Sequence, residues 1–73
     1  MTEYTILKVT LDNGKSSEWI YNEHTEYDFE GRFFVIKRDN QWVAMYAIDR
    51  VLSVELLTQY YADIKVEKKV VPV

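Results

Sequence analysis

Between Arg32 and Ile48 the chain carries two apolar runs, Phe33-Phe34-Val35-Ile36 and Trp42-Val43-Ala44-Met45-Tyr46, on either side of Asp39-Asn40. Aromatic and β-branched residues favour strands, and an Asp-Asn pair tolerates the positive φ of a tight turn. The pattern therefore predicts an antiparallel hairpin. A two-residue turn sets Ile36 opposite Val43 and Phe34 opposite Met45 on one face. It sets Val35 opposite Ala44 and Phe33 opposite Tyr46 on the other, with Lys37 opposite Trp42. Both faces are then largely apolar, whereas an antiparallel sheet in a small two-layer domain usually gives one face to water. The second face calls for cover: a curled sheet buries one face and gives the other to a subunit or a terminal segment.

The size of the chain sharpens that demand. With 73 residues, folding hides roughly 60% of the unfolded surface, enough for one core and one domain spanning residues 1–73. Cores this small lean on disulfides, a structural metal or self-association. Cysteine is absent and His24 is the lone histidine, which excludes disulfides, thiolate zinc sites and multi-histidine sites within one chain. Self-association remains. A hydrophobic fraction of 48% and an aromatic fraction of 15% exclude a disordered chain. No apolar run approaches the ~20 residues that span a bilayer, and Met1-Thr2-Glu3-Tyr4 lacks the features of a secretory signal. The expectation is a cytoplasmic protein without membrane contact.

Around the hairpin, Tyr4–Leu11 alternates as a strand, with Leu7, Val9 and Leu11 on one side. Asp12-Asn13-Gly14 then marks a turn. A three-residue loop pairs Thr5 with Tyr21, Leu7 with Trp19 and Val9 with Ser17, and cross-strand apolar matching favours it over a two-residue Asn13-Gly14 turn. The acidic stretch Asn22–Gly31 reads as a surface loop or one helical turn. Asp49-Arg50 reads as a turn before a strand Val51–Leu57 with Leu52, Val54 and Leu56 on one side. Thr58–Asp63 is open to a short helix or turn. Ile64–Val71 is an edge strand, or residues 68–73 form a flexible tail. The fold class that follows is all-β: a small, strongly bent antiparallel sheet of five or six strands, or an SH3-like barrel, with one short helical turn.

Three stretches resemble the Sm-like (Hfq-type) small β-barrel. Val9-Thr10-Leu11-Asp12-Asn13-Gly14-Lys15 looks like that family's first hairpin and Phe34-Val35-Ile36-Lys37 like its central strand. Met45-Tyr46-Ala47-Ile48-Asp49-Arg50-Val51 looks like its final strand pair. The resemblance implies a ring-forming oligomer that binds single-stranded RNA. The functional motifs depart from the family: Ala47-Ile48 stands where the bacterial proteins have a Lys-His pair, and Asp49-Arg50 where Sm proteins have Arg-Gly. An N-terminal helix is also missing from the pattern.

Chemistry finds little purchase. His24 near Glu23, Glu26 and Asp28 has the elements of a base or a cation site, but a solvated acidic loop explains the same residues. No nucleophile elbow, phosphate-cradling glycine loop or metalloprotease histidine pair occurs. The expectation is a protein that is not an enzyme, with no catalytic residues, cofactor or metal. Charge is uneven: residues 1–31 hold seven acids against two lysines, and residues 32–73 hold seven basic residues against five acids. Arg32, Lys37, Arg38 and Arg50, with Trp42 for stacking, compose a candidate nucleic-acid patch. The aromatics Trp19, Phe33, Trp42, Tyr46, Tyr60 and Tyr61 compose a candidate protein interface, since Tyr and Trp anchor interface cores. The favoured function is a non-catalytic interaction or assembly module that self-associates or binds another protein. A single-stranded RNA- or DNA-binding Sm-like barrel is the alternative.

Overall fold

The computed structural model describes residues 3–60 and 65–73, and they form an all-β structure. In chain order the strands are β1 (Glu3–Leu11), β2 (Ser16–Tyr21), β3 (Thr25–Glu30), β4 (Phe33–Arg38) and β5 (Gln41–Ala47). A 3-10 turn, Ile48–Arg50, leads to β6 (Val51–Tyr60), and β7 (Lys65–Val71) follows. Two antiparallel sheets result, one ordered β2-β1-β6-β7 and the other β3-β4-β5.

The first hairpin takes the three-residue loop. Thr5 faces Tyr21, Leu7 faces Trp19 and Val9 faces Ser17. Leu11 N donates to Lys15 O at 2.8 Å, and Gly14 closes the loop at φ 86°, a left-handed conformation that glycine adopts without penalty. β1 also pairs with β6 along its length, from Glu3 opposite Tyr60 to Leu11 opposite Val51.

The second hairpin turns at Asp39 and Asn40, with φ of 51° and 66°, the mirror-image turn that suits twisted strands. Next to the turn the expected pairs form, Arg38 with Gln41 and Lys37 with Trp42. Beyond them the register slips by one residue. Ile36 faces Ala44, Val35 faces Met45, Phe34 faces Tyr46 and Phe33 faces Ala47. Val43 is the extra residue of a β-bulge, so the pairs expected beyond Lys37 are corrected. A one-residue slip exchanges the faces of everything past it. Here it turns Tyr46 toward the core and Met45 away from it.

Three further expectations are corrected. Asn22–Gly31 holds a strand: Thr25, Tyr27 and Phe29 alternate with Glu26, Asp28 and Glu30, and β3 pairs with β4 throughout. The acids, poor strand formers in general, occupy only the outer face. Thr58–Tyr60 continues β6 with no helix, while the rest of the Thr58–Asp63 expectation lies outside the described residues. A bulge beside Leu11 makes Leu52 the unpaired residue of β6. Leu52 is consequently 68% exposed, and Val51 packs on the core in its place. The described residues thus contain seven strands where five or six were expected, and their helical turn is the one at Ile48–Arg50.

The core lies between the sheets. Leu7 and Val9 of β1, Val54 of β6 and Val71 of β7 meet Phe34 and Ile36 of β4. The buried Val71 extends the β6–β7 ladder to the end of the strand, through the stretch for which a tail was the alternative. Two corners join the sheets. At one, the buried Thr25 hydroxyl lies 3.1 Å from Ile20 O and 3.2 Å from Asn22 Oδ1. At the other, Ile48 N donates to Arg32 O and Asp12 N to Arg50 O.

Candidate interaction surface

The face of β3-β4-β5 that looks away from the core is built by the alternation of its strands. β3 presents Glu26, Asp28 and Glu30, β4 presents Phe33, Val35 and Lys37, and β5 presents Trp42, Met45 and Ala47. Val35 is fully buried yet stands apart from the core cluster. Its neighbours on this face are Phe33 and Lys37 along β4, with Asp28 and Met45 across the ladders. They remain open above: Phe33 is 41% exposed, Met45 54% and Trp42 55%. Val43, the bulge residue, is exposed beside them. No other strand of the described residues packs on this face. The second apolar face inferred from the sequence therefore exists, and these residues leave it uncovered.

Lys37 divides the face. Its Nζ lies 3.3 Å from Glu30 Oε1, 3.7 Å from Asp28 Oδ2 and 6.0 Å from the centroid of a Trp42 ring. Hydrogen bonding to Glu30, reinforced by the charges of Glu30, Asp28 and Glu26, raises its pKa above the ordinary lysine value. The ammonium so held separates a row of carboxylates on β3 from an apolar stripe running from Phe33 through Val35 and Met45 to Trp42. An aliphatic lysine stem can cover such a stripe while its head stays polar.

The candidate interface residues divide between this outer face and the core between the two sheets. Phe33 and Trp42 belong to the outer face. Trp19 and Tyr46 are half-buried against the core, where Trp19 Nε1 donates to the Tyr46 hydroxyl at 3.1 Å and ties β2 to β5 across the sandwich. Tyr61 and the side chain of Tyr60 lie outside the described residues. Met45 and Val43 were absent from the expected interface, because the bulge that exposes them leaves no mark in an apolar run.

The proposed cationic patch is dispersed. Arg32 immediately precedes β4 and Arg38 ends it, so their backbones stand roughly 20 Å apart. Arg50 sits in the 3-10 turn near Arg32, and Lys37 is committed to carboxylates. Only Lys37 and Trp42 of that group meet.

His24 sits at the β2–β3 corner, exposed, with Nδ1 3.0 Å from Asp39 Oδ1 and Nε2 3.5 Å from Glu23 Oε1. Asp39 N donates to His24 O at 2.9 Å, so the pair fastens the β4–β5 turn to the corner. A shallow opening of about 220 Å³ adjoins it, lined by Glu23, His24, Thr25, Glu26, Asp39 and Asn40. Among the described residues no three His, Cys, Asp or Glu side chains gather in a metal-binding arrangement. No helix among them is long and apolar enough to cross a membrane. Compared with known proteins, the chain matches no family model, no curated protein sequence and no solved structure.

Proposed function

We propose that this protein is a non-catalytic interaction or assembly module, and that the outer face of β3-β4-β5 is its contact surface. One observation carries the reading: Phe33, Met45 and Trp42 stand exposed on one sheet face over a fully buried Val35. Contiguous exposed apolar surface rimmed by polar groups marks contact sites on small proteins. The β5 bulge strengthens the case. Without it Met45 would face the core opposite Phe34, and bulges recur where a side chain is re-aimed for function.

The test uses a photo-reactive amino acid at Met45 in the full chain, with a second at exposed Glu18 on the other sheet as control. Adducts with one defined protein, or with a second copy, are expected from position 45. They should be absent from position 18 and lost when Trp42→Asp is added. Equal adducts from both positions, or adducts that survive Trp42→Asp, refute the assignment of this face. Light scattering on the same samples separates self-association from capture of a different protein.

A further inference from the structure

We infer that the occupant of this face is an amphipathic helix of another protein, with an apolar stripe bordered along one flank by Lys or Arg. The inference rests on the outer face being the contact surface and adds what fits it.

Charge selects the partner. The face carries the three carboxylates of Glu26, Asp28 and Glu30 against the one ammonium of Lys37. Glu26 is exposed, and the side chains of Asp28 and Glu30 retain 55% and 43% exposure despite their contacts with Lys37. Two copies laid face to face would bring six carboxylates into one interface with only two lysines. Like charges juxtaposed across an interface oppose association, so a second copy fits poorly. A polyanion is repelled for the same reason. A cationic flank on the partner fits the β3 row, and apolar residues beside it fit the β4–β5 stripe.

Geometry selects the helix. An extended segment would join the sheet at an edge, and the edge next to the stripe, β5, pairs with no second strand among the described residues. Its bulge at Val43 interrupts the ladder positions that a new strand would need. The face itself is open. From the level of Phe33 to that of Lys37 is about 13 Å along the strand, which is roughly nine residues of helix. From β3 to β5 is about 10 Å, close to the width of one helix. A helix laid along β4 therefore sets one flank over the carboxylates and the other over Met45 and Trp42. A helix layered on one face of an antiparallel sheet is also a common way to cover apolar surface.

The experiment titrates the full chain with synthetic helical peptides of about 14 residues: leucines on one stripe with lysines on a flank, the same pattern with glutamates, and a scrambled lysine sequence. A single-stranded oligonucleotide is a fourth arm. Amide NMR shifts and tryptophan emission report binding. The leucine–lysine helix is expected to bind in the micromolar range, to shift β3–β5 amides, and to weaken with added salt. Affinity should fall roughly tenfold or more in Glu26→Gln/Asp28→Asn/Glu30→Gln and, separately, in Trp42→Ala. Dispersed NMR spectra show that these variants remain folded. No binding at millimolar peptide, equal binding of the glutamate or scrambled peptide, preference for the oligonucleotide, or shifts confined to the other sheet each overturn the inference. A chain that instead dimerises through Met45 overturns the helical partner while leaving the contact surface intact.

Discussion

Phe33 and Phe34 are adjacent, chemically identical and assigned to opposite faces of β4, so truncating each in turn measures the face assignment directly. Phe34 is fully buried, with ring centroids 5.3 Å from Phe29 and 5.7 Å from Tyr27. Removing a buried phenyl ring loses its transfer free energy and leaves a cavity, together about 3–5 kcal/mol. The two ring contacts place Phe34→Ala at the upper end of that range. Phe33 is 41% exposed, so solvent refills the space it leaves and only a share of the ~1.5–3 kcal/mol transfer term is lost. About 1 kcal/mol is expected for Phe33→Ala. A chain of 73 residues has a total stability of roughly 4–11 kcal/mol, so Phe34→Ala approaches global unfolding while Phe33→Ala does not. Urea denaturation followed by circular dichroism gives both values. If Phe34→Ala is too unstable for a folded baseline, Phe34→Leu against Phe33→Leu preserves the contrast. Equal losses at the two positions, or a larger loss at Phe33, would refute the register beyond the bulge and with it the outer face.

Tyr46→Phe leaves the Trp19 indole N–H without its partner and should cost about 1–2 kcal/mol in the same denaturation assay. A cycle with Trp19→Phe should recover most of that loss as coupling. Gly14→Ala should cost about 1 kcal/mol through backbone strain alone, because an added Cβ meets nothing within 4 Å and only the φ of 86° opposes it. The pH dependence has two limbs. Hydrogen bonding to Lys68 at 2.7 Å, aided by the charges of Lys68 and Lys8, lowers the Glu55 pKa. Its stabilisation is complete above the unfolded value of ~4.3 and is lost as pH falls through the lower folded value. Lys37, with its pKa raised, contributes fully below the unfolded ~10.4 and loses that contribution as pH rises through the folded value. Thermal unfolding against pH should therefore show a shallower acid limb in Glu55→Gln and a shallower alkaline limb in Lys37→Met.

Where one face of a strand is polar, the sequence was legible down to the register. In the first hairpin, Lys8 and Glu18 mark the outside, and only a three-residue loop sets Leu7 against Trp19. The second hairpin lacked that signal. Phe33-Phe34-Val35-Ile36 and Trp42-Val43-Ala44-Met45-Tyr46 are apolar at every position, so shifting the ladder by one residue exchanges one apolar face for another. The bulge at Val43 was consequently invisible, and the inward or outward direction of Met45 and Tyr46 was invisible with it. That is why the aromatic set mixed surface residues, Phe33 and Trp42, with the core tie between Trp19 and Tyr46. β3 was hidden for the opposite reason. Its period of two is complete, but three acids among six residues resemble a solvated loop until the pairing with β4 is known.

The partnership of β1 with β6 sets how the chain must reach this structure. Thr5 and Thr58 touch through their hydroxyls at 3.0 Å, although 53 positions separate them. The β1–β2 hairpin and the β3–β4–β5 meander are local and can form early, but each alone is a thin ribbon with an unburied face. Leu7 and Val9 lack their neighbour Val54 until β6 returns, so the entropy of closing that long loop is met before the core repays it. Folding should therefore occur in milliseconds to seconds, slow for so short a chain. During synthesis, the first hairpin waits with its apolar side bare until β6 has emerged, which makes the last third of the chain the gatekeeper of the first.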